Sequence, residues 1–109
     1  MPDIDLNEIE PKEIVPGYFA KFIHTDKMTL AYWDVIAGHT LPEHSHIHEQ
    51  VSQILEGKFK LVVDGVAHML EPGKIVVIPS NTKHYGVSLT DCKLIDVFSP
   101  VREDYRNLK

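Results

Sequence analysis

The sequence predicts an all-β fold, a sandwich or barrel built as a single domain. Three observations carry this. No long run of apolar residues recurs at helical spacing. Short runs rich in branched and aromatic residues recur instead, bounded by Gly, Pro, Asn and Asp. Finally, 109 residues, 43% hydrophobic and 25% charged, are enough for one ordinary globular core.

The elements follow in chain order. Residues 1–13 read as an N-terminal arm or an added edge strand. Tyr18 to His24 and Met28 to Ile36 are two strands joined by a polar turn at Thr25, Asp26 and Lys27. Val51 to Leu55 leads through Glu56-Gly57 into Lys58 to Val63. Asp64-Gly65 is a two-residue hairpin signal, because both positions tolerate the left-handed backbone of a primed turn, and Val66 to Leu70 returns from it. Pro72-Gly73 turns the chain into Lys74 to Ile78. That stretch is apolar on both faces and is therefore expected to be buried. A loop from Pro79 to Lys83 precedes the last strands, His84 to Leu89 and Lys93 to Phe98. The tail, 99–109, is charged and has room for a short turn of helix. The whole chain, 1–109, reads as one domain.

Composition excludes several classes of function. Sixteen Asp and Glu outnumber eleven Lys and Arg, for a formal net charge of −5. The basic residues are scattered, so no nucleic-acid partner is expected. No apolar run approaches the length of a membrane span, and no membrane partner is expected. The acidic start, MPDIDLNEIEPKE, lacks the apolar core of a secretory signal. Cys92 is the single cysteine, which rules out an internal disulfide and suits a reducing, cytoplasmic setting.

The seven histidines are the unusual quantity. Pro42 to Gln50 reads PEHSHIHEQ and places His44, His46, His48 and Gln50 at alternate positions, on one face of an extended chain. His44 and His46 can present two nitrogens to one ion, Gln50 a carbonyl oxygen, and His84, from a strand distant in sequence, a third nitrogen. Such a donor set suits a borderline divalent ion: Zn, Ni, Mn or Fe. Periodicity alone does not separate His48 from Gln50. His24, His39 and His68 sit in no ligand pattern and read as surface or hydrogen-bonded core residues.

Asp96 is the second informative residue, on the same strand face as Leu94 and Phe98. A carboxylate there costs free energy unless it is hydrogen-bonded, paired or ligand-facing. Facing a cavity, it is a candidate general acid or base. Arg102, beyond Pro100, is placed to offer a planar fork to a carboxylate or phosphate. The plain alternative is a structural Asp96–Arg102 ion pair. Tyr32, Trp33, Phe59, Tyr85 and Tyr105 are aromatic candidates for a ligand platform, and of these only Tyr85, adjacent to His84, is assigned to ligand binding.

Two segments resemble the paired motifs of the cupin superfamily. Gly38 to Gly57 matches the first: glycine, five residues, His44-x-His46, three residues, an acceptor at position 50, six residues, glycine. Gly73 to His84 matches the second: glycine, five residues, Pro79, a turn, then His84. The resemblance implies a double-stranded β-helix, or jelly-roll, barrel. It also implies one divalent metal ion on His44, His46, Gln50 and His84, with His48 beside the site or at the rim. Two positions depart from the pattern, Gln50 where Glu is usual and Asn81 where Gly is usual. A neutral Gln leaves the full charge of the ion uncompensated, favours anionic ligands and lacks the carboxylate of the iron-oxygenase triad.

A narrower resemblance runs through nearly the whole chain. His48-Glu49-Gln50 together with Asp96-x-Phe98-x-Pro100-x-Arg102-Glu103-Asp104-Tyr105 is similar to small cupins of pectin and alginate breakdown, which ketonise 4,5-unsaturated monouronates. That resemblance implies a small sugar-acid substrate lined by Asp96, Phe98 and Arg102. On residue chemistry Asp96 would move the proton and Arg102 would anchor the carboxylate, which makes these two the catalytic candidates. A metal-dependent dioxygenase and a non-catalytic ligand-binding module are the alternatives. A homodimer is expected, since a small barrel gains by covering its sheet edges, with the N-terminal arm as the crossing element.

Overall fold

The computed structural model describes residues 3–108. A 3-10 turn (Leu6–Glu8) precedes ten strands: β1 (Lys12–Val15), β2 (Tyr18–His24), β3 (Thr29–Val35), β4 (Thr40–His44), β5 (Glu49–Glu56), β6 (Phe59–Val63), β7 (Val66–Leu70), β8 (Ile75–Ile78), β9 (His84–Ser88) and β10 (Cys92–Ser99). A short helix, α1 (Glu103–Arg106), follows. They form a six-stranded sheet ordered β1-β2-β3-β10-β5-β8 and a four-stranded sheet ordered β4-β9-β6-β7. Every strand pairing is antiparallel.

The punctuation residues explain the connections. Asp64 and Gly65 both adopt positive φ, 48° and 77°, and close the β6–β7 hairpin with Val63 opposite Val66. Gly57, at φ 89°, has no room for a side chain, since a Cβ would come 2.3 Å from the Asp91 carbonyl oxygen. Asn81 adopts φ 60°, the left-handed turn that a glycine would otherwise supply. Sequence pattern does not distinguish β4 as a strand. It carries Pro42, which an edge strand tolerates because no ladder donor is lost on its open side.

Strand alternation sends one face of each sheet into a shared interior. Along β10 the inward residues are Cys92, Leu94, Asp96 and Phe98, all buried, while Lys93 and Ser99 are exposed. Tyr18 packs edge-on against Trp33 and Phe59, with ring centroids 6.2 and 6.5 Å away. Ile54, Leu61, Leu70 and Ile78 complete this apolar filling.

β8 corrects one expectation. Ile78 is fully buried, but Ile75 and Val77 are each 57% exposed. A run apolar on both faces predicts a strand covered on both faces, whereas β8 is the edge of the six-stranded sheet and nothing among the described residues covers its outer face. No helix among the described residues is long and apolar enough to cross a membrane.

Candidate metal centre and substrate cavity

PEHSHIHEQ is not one extended strand. His44 ends β4 in one sheet, Gln50 lies in β5 of the other, and residues 45–48 turn the corner between them. The corner folds His46 back toward His44 while β9 brings His84 directly opposite His44. Ring centroids are 4.2 Å apart for His44–His84, 5.0 Å for His46–His84 and 5.6 Å for His44–His46. One potential ligand atom from each of the three lies within 4.8 Å of the others.

Hydrogen bonding fixes the tautomers. His44 Nδ1 lies 2.8 Å from the Pro42 carbonyl, His46 Nδ1 3.0 Å from that of His48, and His84 Nδ1 2.8 Å from that of Thr82. A carbonyl only accepts, so each Nδ1 carries a proton, and in a neutral ring so held Nε2 keeps the lone pair. His84 Nε2 is buried with no hydrogen-bond partner. Three such lone pairs converging on one point suit a cation, and backbone carbonyls on the far nitrogens are what orient metal-binding imidazoles. Burial, with help from the Arg102 charge, lowers the His46 pKa to about 4; burial lowers that of His84 too. Both rings are therefore neutral near pH 7, as ligation requires.

Gln50 Oε1 lies 3.1 Å from His46 Nε2, so the residue expected as the fourth ligand borders the triad. His48 turns away. Its ring is buried near Phe98, Nε2 reaches the Val101 carbonyl at 3.2 Å, and Nδ1 has no partner. The alternation of the sequence misplaces it because the chain turns before it.

Asp96 lies inward on β10, opposite Ser52 of β5. Ser52 Oγ donates to Asp96 Oδ1 at 2.6 Å, and Gln50 Nε2 donates to Ser52 Oγ at 3.0 Å. Burial raises the Asp96 pKa to about 6, against the pull of Ser52, Gln50 and, more weakly, Trp33 and Arg102. Trp33 Nε1 has no partner at hydrogen-bonding geometry, so its effect on Asp96 is one of proximity. Nothing pairs Asp96 with Arg102 in a salt bridge among the described residues. Arg102 forks instead onto Asp104, with Nε–Oδ1 2.9 Å and Nη2–Oδ2 2.6 Å. Its guanidinium lies 3.9 Å from the Tyr105 ring centroid and 4.8 Å from that of Phe98. Burial is the largest single influence and opposes its charge, but the bond and charge of Asp104 together with Tyr105 outweigh it and raise its pKa. Nη1 remains buried and unpartnered.

Gln50, His84, Asp96, Phe98, Arg102 and Tyr105 share one cavity inside the barrel. Tyr85 does not line it. As the neighbour of His84 it points to the opposite face of β9, so the sequence-based assignment of Tyr85 to the substrate is corrected by strand alternation. Tyr105 and Ser52 hold places there that spacing did not assign.

The comparisons with known proteins agree with this geometry. The cupin domain family matches residues 31–98. A pectin degradation protein, KdgF of Dickeya dadantii (strain 3937), is 38% identical over 64 residues, 57% of this chain and 58% of the relative. The match thus spans under three-fifths of that curated relative's length. Among solved structures, KdgF from Halomonas sp. aligns with TM-score 0.86 and 30% identity over 91% of this chain and 93% of the other. An RmlC-like cupin from Shewanella frigidimarina NCIMB 400 aligns with TM-score 0.86 and 32% identity over 91% and 90%. Salicylate 1,2-dioxygenase from Pseudoaminobacter salicylatoxidans, at 22% identity and TM-score 0.76 over 84% of this chain and 29% of the other, shares the fold. The chain belongs to the cupin superfamily.

Proposed function

We propose that this cupin is a metal-dependent enzyme that opens and ketonises a 4,5-unsaturated monouronate. The observation that carries the reading is the cavity itself. Three convergent imidazoles, a carboxyl group poised near neutrality and a buried guanidinium with a free N–H come together, and His44, His84, Asp96 and Arg102 border one space. His44, His46, His84 and Gln50 would hold one divalent ion, Zn, Ni, Mn or Fe, which would supply Lewis-acid stabilisation of negative charge on oxygen.

The reaction is an isomerisation. The hemiacetal hydroxyl loses its proton, the bond from the ring oxygen to the anomeric carbon breaks, and the ring oxygen becomes an enolate. A proton then enters at the neighbouring alkene carbon and leaves a ketone. Asp96 carries the proton, its raised pKa suiting it to both halves of the transfer. Arg102 binds the substrate carboxylate through Nη1, while Asp104 and the rings of Phe98 and Tyr105 hold the guanidinium still. Phe98 also offers an apolar face to the sugar. An all-neutral ligand shell leaves the site cationic toward an anionic substrate.

A dioxygenase reading is less well supported. The similarity to salicylate 1,2-dioxygenase is one of fold, and the ligand shell lacks a carboxylate. A non-catalytic binding module would have no use for Asp96 beyond packing. A lone, buried, free Cys92 supports a cytoplasmic setting.

A homodimer is part of the same proposal. The outer face of the six-stranded sheet places Ile75 and Val77 of β8 beside Gln53 and Val51, then Ile95 and Val97, then Tyr32 and Leu30. A second copy would cover this apolar face, and light scattering should show twice the monomer mass.

The enzyme reading is tested by adding metal-loaded protein to 4,5-unsaturated galacturonate and following the conjugated C=C absorbance. The expected outcome is loss well above the spontaneous rate. Binding of the substrate without acceleration would contradict it and favour the binding module.

A further inference from the structure

We propose that Ser52 is a positioning residue that fixes which way the Gln50 amide faces, presenting its oxygen rather than its nitrogen to the histidine cluster. This deepens the metal-centre reading and rests on Gln50 as a ligand. Ser52 stands between two buried polar side chains, 3.0 Å from Gln50 Nε2 and 2.6 Å from Asp96 Oδ1. Its own exposure is 4%, and those of Gln50 and Asp96 are 5% and 7%, so water does not compete freely.

A hydroxyl has one proton to give. A carboxylate only accepts, so that proton goes to Asp96 and Ser52 retains only lone pairs for Gln50. The amide must then offer its NH2 group, which turns Oε1 toward His46 Nε2, 3.1 Å away. The His46 proton is on Nδ1, held by the His48 carbonyl. Two acceptors therefore face each other, an arrangement that is unfavourable until a cation lies between them. Ser52 enforces that arrangement, and ligation is the benefit that explains it.

The same directionality accounts for Gln rather than Glu at position 50. A glutamate there would place carboxylates on both sides of one hydroxyl, and one buried oxygen would lose its donor. Asn at position 96 would reverse the chain, donating to Ser52 and freeing the hydroxyl proton for a carboxylate at position 50.

Two measurements on the intact chain test this. The first is a thermal-unfolding cycle on metal-free protein at pH 7.5: wild type, Gln50→Glu, Asp96→Asn and the double variant. The double variant should exceed the sum of the single Tm shifts by about 5 °C, and this coupling should vanish when the cycle is repeated with Ser52→Ala. Coupling of equal size without the hydroxyl would be plain charge repulsion and would overturn the proposal. The second is calorimetric titration with Zn(II). Ser52→Ala should bind about 10-fold more weakly than wild type, and Ser52→Thr, which keeps the hydroxyl, should recover most of the loss. Unchanged affinity in Ser52→Ala, or no recovery in Ser52→Thr, would overturn it. A wild type that binds no Zn(II) would sink the metal reading, leaving the metal-free cycle to decide the role of Ser52.

Discussion

The two ends of the barrel interior share the same strands and differ in chemistry. Along β5 the inward residues run Ile54, Ser52, Gln50, and along β10 they run Leu94, Asp96, Phe98, paired rung by rung. One end, around Ile54, Leu94, Trp33 and Phe59, is apolar and closed by aromatic packing. One rung further, at Ser52 and Asp96, the lining becomes polar and leads to Gln50, His44, His84 and Arg102. The apolar end provides burial and rigidity. The polar end spends part of that stability on a buried carboxyl, unpartnered imidazole nitrogens and a guanidinium N–H with nothing to bind. A lining that costs free energy on folding, set on rigid strands, marks where the chemistry sits.

Substitutions at the two ends should therefore separate stability from function. Ile54→Ala leaves a cavity at the apolar end and should cost about 2–5 kcal/mol by urea denaturation, with Zn(II) affinity per folded molecule unchanged. His84→Ala should reverse the pattern, lowering Zn(II) affinity by more than about 100-fold, beyond what loss of a mere supporting group produces. Its Tm without metal should fall less than that of Ile54→Ala, since removal of a buried unpartnered nitrogen offsets part of the loss of packing and of the Thr82 hydrogen bond. Similar effects of both substitutions on both readouts would erase the distinction between the ends.

Arg102→Lys sharpens the contrast within the polar end. It keeps the charge but loses the fork onto Asp104 and the fit between Phe98 and Tyr105. KM should rise about 10-fold with a smaller fall in kcat, as expected for a residue that holds the carboxylate rather than moving the proton. A fall confined to kcat would move Arg102 into the chemical step.

The pH dependence of stability provides a smaller effect with a definite sign. Asp96, raised to about 6, holds its proton more tightly in the folded chain. It therefore contributes stability that is full below about pH 4 and lost as pH rises through 6. His46, lowered to about 4, acts oppositely: its contribution is present above about pH 6.5 and lost as pH falls through 4. In metal-free protein Asp96→Asn removes only the first dependence. The stability of the variant relative to wild type should rise between pH 4 and 7, by up to about 3 kcal/mol in chemical denaturation. Parallel pH profiles would show that Asp96 titrates as it does in water.

Much of this was readable in the sequence because turns and ligands use residues with few substitutes. Asp64-Gly65 announced its hairpin through the backbone it permits, and the two histidine motifs announced which residues would converge. Alternation gave Asp96 and Phe98 a common inward face. It failed where its premise failed. His48 left the pattern at the corner between sheets, and Tyr85, chosen for adjacency to His84, faced outward for that very reason. The apolar character of β8 reported what a strand needs without saying whether this chain supplies the cover. Ser52 was silent because serine on a strand is common, and its meaning comes only from the register that sets it beside Asp96. Tyr105 reaches the cavity through a tail whose path no periodicity encodes.

The most direct test of the account is the turnover of 4,5-unsaturated galacturonate by Asp96→Asn protein, measured beside wild type with metal content matched. The expected result is a rate reduced by about 10²–10⁴-fold, toward the spontaneous background, with metal still bound. Wild-type turnover in that variant would contradict a role for Asp96 in proton transfer and require another residue of the polar end to carry it.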